Sequence, residues 1–174
     1  MLANLSKYEP ARAAMVHTPG LLAQLIDALY GQSVTNRTLA LQAVTNLCKE
    51  PSLRPHVLRC VGFQQLLSQF RFRRGHNEPE QWRLFGDLLQ AMSRDESGRR
   101  LLIRHGIIGM LSQHVFADSL AFMRAPFASV LRSLATSPES LAVLPAYELS
   151  WMLKTLRALA DTVPDDPRRA TEPE

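Results

Sequence analysis

The chain has 174 residues, of which 46% are apolar and 21% are charged, and this composition suits one domain with a buried core. It has no run of about 18 or more uncharged apolar residues, which excludes a membrane-spanning helix. It also has no basic segment followed by an apolar stretch and a cleavage site, so no secretory signal is predicted. The formal net charge is +4, with an excess of acidic residues after residue 160 and a basic remainder.

Helical periodicity predicts an all-helical chain, and no alternating strand pattern is present. Polar residues and prolines mark the helix starts. Ser137 can cap a helix whose first position is Pro138, for example. In chain order the predicted helices cover residues 10–17, 21–30, 35–49, 52–60, 63–72, 79–94, 98–105, 107–116, 120–136, 138–144 and 147–160.

The same module recurs along the chain. A leucine-type position repeats at a spacing of 42 or 45 residues, and a glycine follows an arginine by seven or eight residues in three of the copies. The fourth copy lacks both, as terminal repeats often do. The glycine predicts a sharp turn that a β-carbon would obstruct. The recurring positions are Leu5, Leu47, Met92 and Leu134, with Arg12, Arg54 and Arg99 and with Gly20, Gly62 and Gly106.

The long third helix of each module carries matching stripes. Four apolar rows align across the modules, and a polar stripe aligns beside them, which predicts stacked units that bury each other's apolar faces. The apolar rows are Leu39, Leu84 and Pro126; Ala43, Leu88 and Val130; Val44, Leu89 and Leu131; and Leu47, Met92 and Leu134.

These features resemble the armadillo repeat family. The resemblance is carried by Asn4-Leu5-Ser6 and Asn46-Leu47-Cys48, by the arginine-to-glycine spacing and by the apolar helix after each glycine. It implies an all-α, armadillo-like right-handed α-solenoid of about three to four three-helix repeats. The implied units are residues 1–7 (the end of a preceding third helix), 8–49, 50–94, 95–136 and a divergent 137–160, followed by a disordered acidic, proline-rich tail at 161–174.

In that family the third helices line a concave groove that binds extended peptides or other proteins. The predicted lining comprises Gln42, Asn46, Lys49, Arg83, Asp87, Arg94, Ser129, Arg132 and Ser133. The carboxamide of Asn46 can pair with both the N–H and the C=O of an extended peptide. The alternative for the whole set is an ordinary hydrated helix surface. Trp82 is expected to be partly exposed, either as a partner anchor or as packing against a neighbouring unit.

Nuclear-import receptors of the family carry a tryptophan four residues before the third-helix asparagine. Here Gln42 precedes Asn46, and the next two copies have Asp87 with Ala91 and Ser129 with Ser133. The chain departs from that pattern, which argues against a receptor for basic localisation signals.

A basic cluster with interleaved phenylalanines is the sharpest charge feature of the sequence. It suggests contact with a nucleic acid or an acidic peptide, and the alternative is a solvated rim. The predicted patch comprises Arg71, Arg73, Arg74, His76, Arg99 and Arg100. The primary hypothesis is a non-catalytic interaction scaffold that binds a protein or peptide. The second is a nucleic-acid- or chromatin-associated module within a larger nuclear complex.

No catalytic, cofactor or metal site is predicted. The five histidines lack metal-ligand spacing, no nucleotide-binding or nucleophile motif is present, and Asp95-Glu96 suits a helix start better than an acid–base pair. Cys48 and Cys60 are expected to be reduced thiols of an intracellular protein, cytoplasmic or nuclear, with a disulfide or a redox role as the alternative.

The N-terminal edge is a predicted site of self-association. If the chain is part of a longer solenoid, Leu2, Leu5, Met15 and Leu22 would be exposed there. The alternative is that these residues form a short capping segment.

Overall fold

The computed structural model describes residues 1–60, 62, 63, 66, 67, 79–142 and 144–162, and throughout these residues the chain is helical, without a strand. This confirms the all-α class. The helices are α1 (Leu2–Leu5), α2 (Glu9–His17), α3 (Leu21–Ala28), α4 (Val34–Lys49), α5 (Arg54–Arg59), α6 (Pro79–Ser93), α7 (Glu96–Arg104), α8 (Ile107–His114), α9 (Arg124–Ala135), α10 (Pro138–Ala142) and α11 (Ala146–Thr162), with a 3₁₀ helix at Asp118–Met123. None of these helices is long and apolar enough to cross a membrane.

Side-chain caps fix two of the helix starts. The hydroxyl of Ser33 accepts a hydrogen bond from the backbone N–H of Asn36 at 3.3 Å and begins α4. The carboxylate of Asp95 accepts one from the N–H of Gly98 at 2.8 Å and begins α7. Each cap satisfies a backbone donor that the first turn leaves without an intrahelical partner. The dipeptide Asp95-Glu96 is therefore a helix start, as predicted.

The recurring glycines have two different structural roles. Gly20 and Gly106 have φ of +75° and +65°, so they make the predicted sharp turns before α3 and α8 in a left-handed conformation. Gly62 does not have a positive φ. A β-carbon there would lie 2.6 Å from Cγ2 of Ile26. A glycine is therefore required at this position because the backbone packs closely against the side chain of Ile26.

The predicted helix at 120–136 is in fact divided. The 3₁₀ helix ends at Met123, Leu120 has a non-helical φ of −116° and ψ of 19°, and α9 begins at Arg124. Pro126 explains the new start. Proline has no N–H to donate and is tolerated in the first turn of a helix but not in its interior.

The predicted third helices α4, α6 and α9 pack side by side in chain order, with α1 before them and α11 after them. Helix α1 contacts α4, α4 contacts α6, α6 contacts α9 and α9 contacts α11. Three of the four predicted apolar rows are completely buried, as predicted. Those rows comprise Ala43, Val44, Leu47, Leu88, Leu89, Met92, Val130, Leu131 and Leu134.

The fourth row does not behave as predicted. Leu39 is 42% exposed, and Leu84 and Pro126 are half-buried. Helix α1 has only four residues and meets α4 near Asn46, which donates a hydrogen bond to Ser6.

Two other predictions of exposure were wrong. Trp82 is only 6% exposed. Its ring centroid lies 5.5 Å from that of His114 and 6.3 Å from that of Phe127, so it packs between α6, α8 and α9 and is no partner anchor. At the N-terminal edge Leu5 is exposed, but Met15 is buried in the core and Leu2 is half-buried, so the exposed apolar edge is smaller than predicted.

The C-terminal boundary lies slightly later than predicted. Helix α11 continues to Thr162, so the first two residues of the predicted tail are helical. The remainder of that segment, residues 163–174, lies outside the described residues.

Candidate functional site

All nine predicted lining residues are accessible to solvent. Each lies on a third helix or, for Arg94, directly after one, on the side away from the buried rows. We call this the α4–α6–α9 surface. Its exposed members are Lys49, Arg83, Asp87, Arg94, Ser129 and Arg132, and its half-buried members are Gln42, Asn46 and Ser133.

Direct contacts connect the side chains of neighbouring helices on this surface. The ammonium of Lys49 lies 3.4 Å from a carboxylate oxygen of Asp87, which joins α4 to α6. The guanidinium of Arg83 lies 5.5 Å from the ring centroid of Phe122, in the segment that leads into α9. Both pairs are exposed, and exposed ion pairs contribute little to stability. These two contacts instead hold the side chains of Asp87 and Arg83 between neighbouring helices.

A groove of about 550 Å³ opens between the N-terminal halves of α4 and α6. Val34 and Leu39 supply an apolar floor, and each is 42% exposed. Sequence reasoning missed this feature, because the repeat alignment assigned Leu39 to the buried stripe. The groove is lined by Val34, Thr35, Thr38, Leu39, Gln42, Pro79, Glu80 and Arg83.

Two predicted lining residues hold the helices together. The carboxamide of Asn46 donates to the hydroxyl of Ser6 at 3.0 Å, and the hydroxyl of Ser133 donates to the carbonyl of Ser93 at 2.8 Å. Each bond links a third helix to the end of the previous one. The amide of Asn46 therefore already has an internal partner.

The recurring arginines have a structural role that the sequence did not reveal. Each donates to the carbonyl six residues before it: Arg12 to Ser6 at 3.4 Å, Arg54 to Cys48 at 2.8 Å and Arg99 to Ser93 at 3.0 Å. Each arginine thus binds the C-terminal end of the preceding third helix, whose last carbonyls have no intrahelical donor.

The same arginines connect neighbouring units through acidic partners. Arg12 pairs with Glu50 at 3.6 Å, Arg54 pairs with Asp95, and Arg99 pairs with Glu96, which also accepts a hydrogen bond from Ser137. Glu50, Asp95 and Ser137 recur at the 45- and 42-residue spacings of the repeat. That recurrence was the available signal, and an alignment that included it could have revealed the pairing.

The predicted basic patch is described only in part. Arg71, Arg73, Arg74 and His76 lie outside the described residues. Arg99 and Arg100 both pair with Glu96, at 2.9 and 3.0 Å. The hydroxyl of Ser137, followed by these arginines, lowers the pKa of Glu96, so that carboxylate stays charged and offsets the cations that a phosphate would need.

The remaining chemistry-bearing side chains are dispersed. Within the described part of the chain, no three histidine, cysteine or acidic side chains are grouped to hold a metal ion. The rings of His17 and His56 meet with centroids 5.4 Å apart, a contact between units that sequence spacing did not indicate. Cys48 and Cys60 are free thiols, and burial raises the pKa of Cys48 to about 12, which leaves its thiol uncharged.

Comparison with known proteins gives a likeness of fold and nothing more specific. No family model matches the chain, and no curated protein matches it. Among solved structures, the crystal structure of an engineered protein is similar, with a TM-score of 0.64 and 14% sequence identity over 92% of this chain and 70% of that one. At this identity the likeness concerns the fold alone.

Proposed function

We propose that this chain is a non-catalytic, intracellular interaction scaffold of the armadillo type. In this proposal it is a right-handed α-solenoid of three to four three-helix repeats, and it binds a peptide or partner protein along the α4–α6–α9 surface. One observation carries the proposal: α4, α6 and α9 lie side by side, bury three aligned apolar rows completely and leave a polar stripe with a groove exposed beside them.

The inter-unit contacts support the repeat architecture. A solenoid needs each unit to hold its neighbour through equivalent positions. The arginine-to-carbonyl bonds recur in three units, and the acidic or hydroxyl partners follow at the same spacing. Left-handed glycines turn the chain before α3 and α8. These are repeated devices, and they support a module that stacks.

The character of the exposed surface supports binding to a partner. It combines a shallow apolar groove with polar side chains on three adjacent helices, and this mixture suits an extended peptide whose side chains alternate between pocket and solvent. Three adjacent helices at spacings of roughly 8–10 Å would give such a peptide a path of about 20 Å.

A selection of displayed random peptides tests this function. Leu39→Asp places a charge in the groove without disturbing the core, because Leu39 is already 42% exposed. Leu153→Asp is the matched control, since Leu153 is also exposed but lies on α11. Peptides selected by the unmodified chain should lose binding to Leu39→Asp and retain binding to Leu153→Asp. Equal retention by both variants would refute the proposed groove.

Salt dependence separates this function from the nucleic-acid-associated alternative. Binding dominated by phosphate contacts weakens steeply between about 50 and 200 mM salt, because bound counterions are released. Groove binding of a peptide should weaken much less. We expect retention on immobilised DNA or RNA to be weak. Strong retention that Arg71→Glu, Arg73→Glu and Arg74→Glu together abolish would favour the alternative.

A further inference from the structure

The α4–α6–α9 surface has a cationic end near the C-termini of its helices. Arg94 and Arg132 are both exposed, and within the described part of the chain neither guanidinium has a hydrogen-bond or ion-pair partner. Arg94 follows Ser93 and Arg132 precedes Ser133 in sequence, and the hydroxyl of Ser133 donates a 2.8 Å hydrogen bond to the carbonyl of Ser93, so the backbone of both arginines lies at this contact between α6 and α9. Two arginines that have no hydrogen-bond or ion-pair partner among the described residues therefore lie next to one contact between α6 and α9.

The other charges of this surface are largely balanced. Lys49 pairs with Asp87, so that ion pair leaves little net charge for a ligand. At the groove, Glu80 and Arg83 lie one turn apart on α6 and have opposite charges, and Arg83 also lies over the ring of Phe122. The surface thus has a nearly neutral, apolar end and a cationic end.

The distance between the two ends sets the spacing of a ligand that reaches both. Along a helix, the ten residues from Leu39 to Lys49 rise about 15 Å. Crossing from α4 to a point between α6 and α9 adds roughly 14 Å sideways. The diagonal is about 20 Å, which an extended chain covers in about six residues.

We propose that the ligand of this surface is an extended peptide with an apolar side chain in the Val34–Leu39 groove and, about six residues away, an aspartate or glutamate held by Arg94 and Arg132. Guanidinium groups bind carboxylates through paired, charge-assisted hydrogen bonds, and a basic peptide would be repelled at this end. This inference rests on the proposed scaffold function and specifies the chemistry of its partner.

The composition of selected peptides provides the first test. A displayed library of random peptides, each about twelve residues long and able to span about 40 Å, is selected on the full chain. We expect enrichment of aspartate or glutamate about six positions from leucine, isoleucine or phenylalanine, in either order. Enrichment of lysine or arginine, or groove-dependent peptides with no charge preference, would overturn the ligand chemistry and leave the scaffold function standing. Failure to select any peptide that Leu39→Asp loses would overturn both.

Charge reversal at the cationic end provides the second test. Arg94→Glu with Arg132→Glu should weaken a selected acidic peptide by at least about tenfold in fluorescence anisotropy, because charge-assisted hydrogen bonds are lost. Arg59→Glu with Arg104→Glu is the matched control, since both residues are exposed but lie on α5 and α7, and it should change affinity by less than about twofold.

A neutral peptide links the effect to the carboxylate. Replacing the acidic residues of the peptide by asparagine or glutamine should weaken its binding to the unmodified chain. It should cause no further loss with the Arg94→Glu and Arg132→Glu variant. The milder pair Arg94→Gln and Arg132→Gln guards against misfolding, and circular dichroism checks each variant. A similar loss of peptide affinity in the Arg59→Glu and Arg104→Glu control would refute the assignment of Arg94 and Arg132 as the carboxylate site. An unchanged affinity in both charge-reversed pairs would refute it as well.

Discussion

At the scale of single residues, Arg54 is the most consequential side chain between units. Its side chain is only 2% exposed, and its guanidinium donates to the carbonyl of Cys48 at 2.8 Å and pairs with Asp95 at the start of α7. A buried charge is tolerated only when it is paired and hydrogen-bonded. The recurring arginine of the sequence is therefore a connector between successive units.

Replacing this arginine should be costly. Arg54→Ala leaves the Cys48 carbonyl and the Asp95 carboxylate without a major partner, so we expect a loss of about 3 kcal/mol in unfolding free energy. Urea titration followed by circular dichroism measures it. Arg59→Ala, on the same helix but exposed, should change the value by less than about 0.5 kcal/mol. Similar losses in the two variants would contradict the connector role.

The carboxylate of Asp95 makes stability depend on pH. Partial burial raises its pKa, but hydrogen bonds from the N–H of Gly98 and the hydroxyl of Ser97, together with Arg54, lower the pKa by more, so it lies below its usual value. A depressed pKa stabilises the fold above the unfolded-state value of about 3.9, and this stabilisation is lost as pH falls through the folded-state pKa.

The resulting prediction is a pH-dependent difference between two variants. Asp95→Asn should destabilise the chain at about pH 6, and its deficit relative to the unmodified chain should shrink as pH falls toward about 2. Denaturant titrations at several pH values measure this difference. Asp118→Asn is the control, because that side chain is fully exposed. A deficit that stays constant across the pH range would show that the charge of Asp95 is not responsible.

At the scale of elements, two turns depend on left-handed glycine. Gly20 has a φ of +75°, and a β-carbon there would meet nothing within 4 Å. A side chain at this position would therefore destabilise the fold only through backbone strain. Gly20→Ala should therefore cost about 1–2 kcal/mol, and Gly20→Asn less, because asparagine tolerates this conformation better. Thermal unfolding measures both. Equal costs for alanine and asparagine would indicate a lost contact rather than strain.

At the scale of the whole molecule, the shared core predicts coupled unfolding. Leu88 is completely buried on α6, which packs against both α4 and α9. Leu88→Ala should lower the unfolding free energy by about 2–5 kcal/mol, because it removes buried contacts and leaves a cavity. Because α6 contacts both neighbours, we expect the substitution to destabilise α4 and α9 as well as α6.

The two tryptophans can report this coupling separately. Trp82 is a buried side chain of α6, and Trp151 lies on α11. Trp151→Phe therefore leaves Trp82 as the one fluorescent reporter, and Trp82→Phe leaves Trp151. We expect Leu88→Ala to shift the urea midpoint of both reporters by the same amount. A shift confined to Trp82 would show that the C-terminal helices unfold independently, as some repeat proteins do.

Sequence alone predicted the all-helical class, most of the helix positions within the described part of the chain and most of the core. Helical period, start signals and left-handed glycine turns are local properties, so they can be read along the chain. The three fully buried rows also followed from sequence, because the repeat compares equivalent positions without needing coordinates. The solvent accessibility of the nine lining residues, six exposed and three half-buried, followed from the same comparison.

Tertiary structure decided which of these positions are available to a partner and which hold the chain together. Leu39 is 42% exposed although its repeat position predicted burial, and Trp82 is buried because α8 and α9 pack against it. Asn46 and Arg54 bind residues 40 and 41 positions away in sequence. A periodic pattern identifies the side of a helix on which a residue lies, but burial and pairing depend on what the next helix places against it.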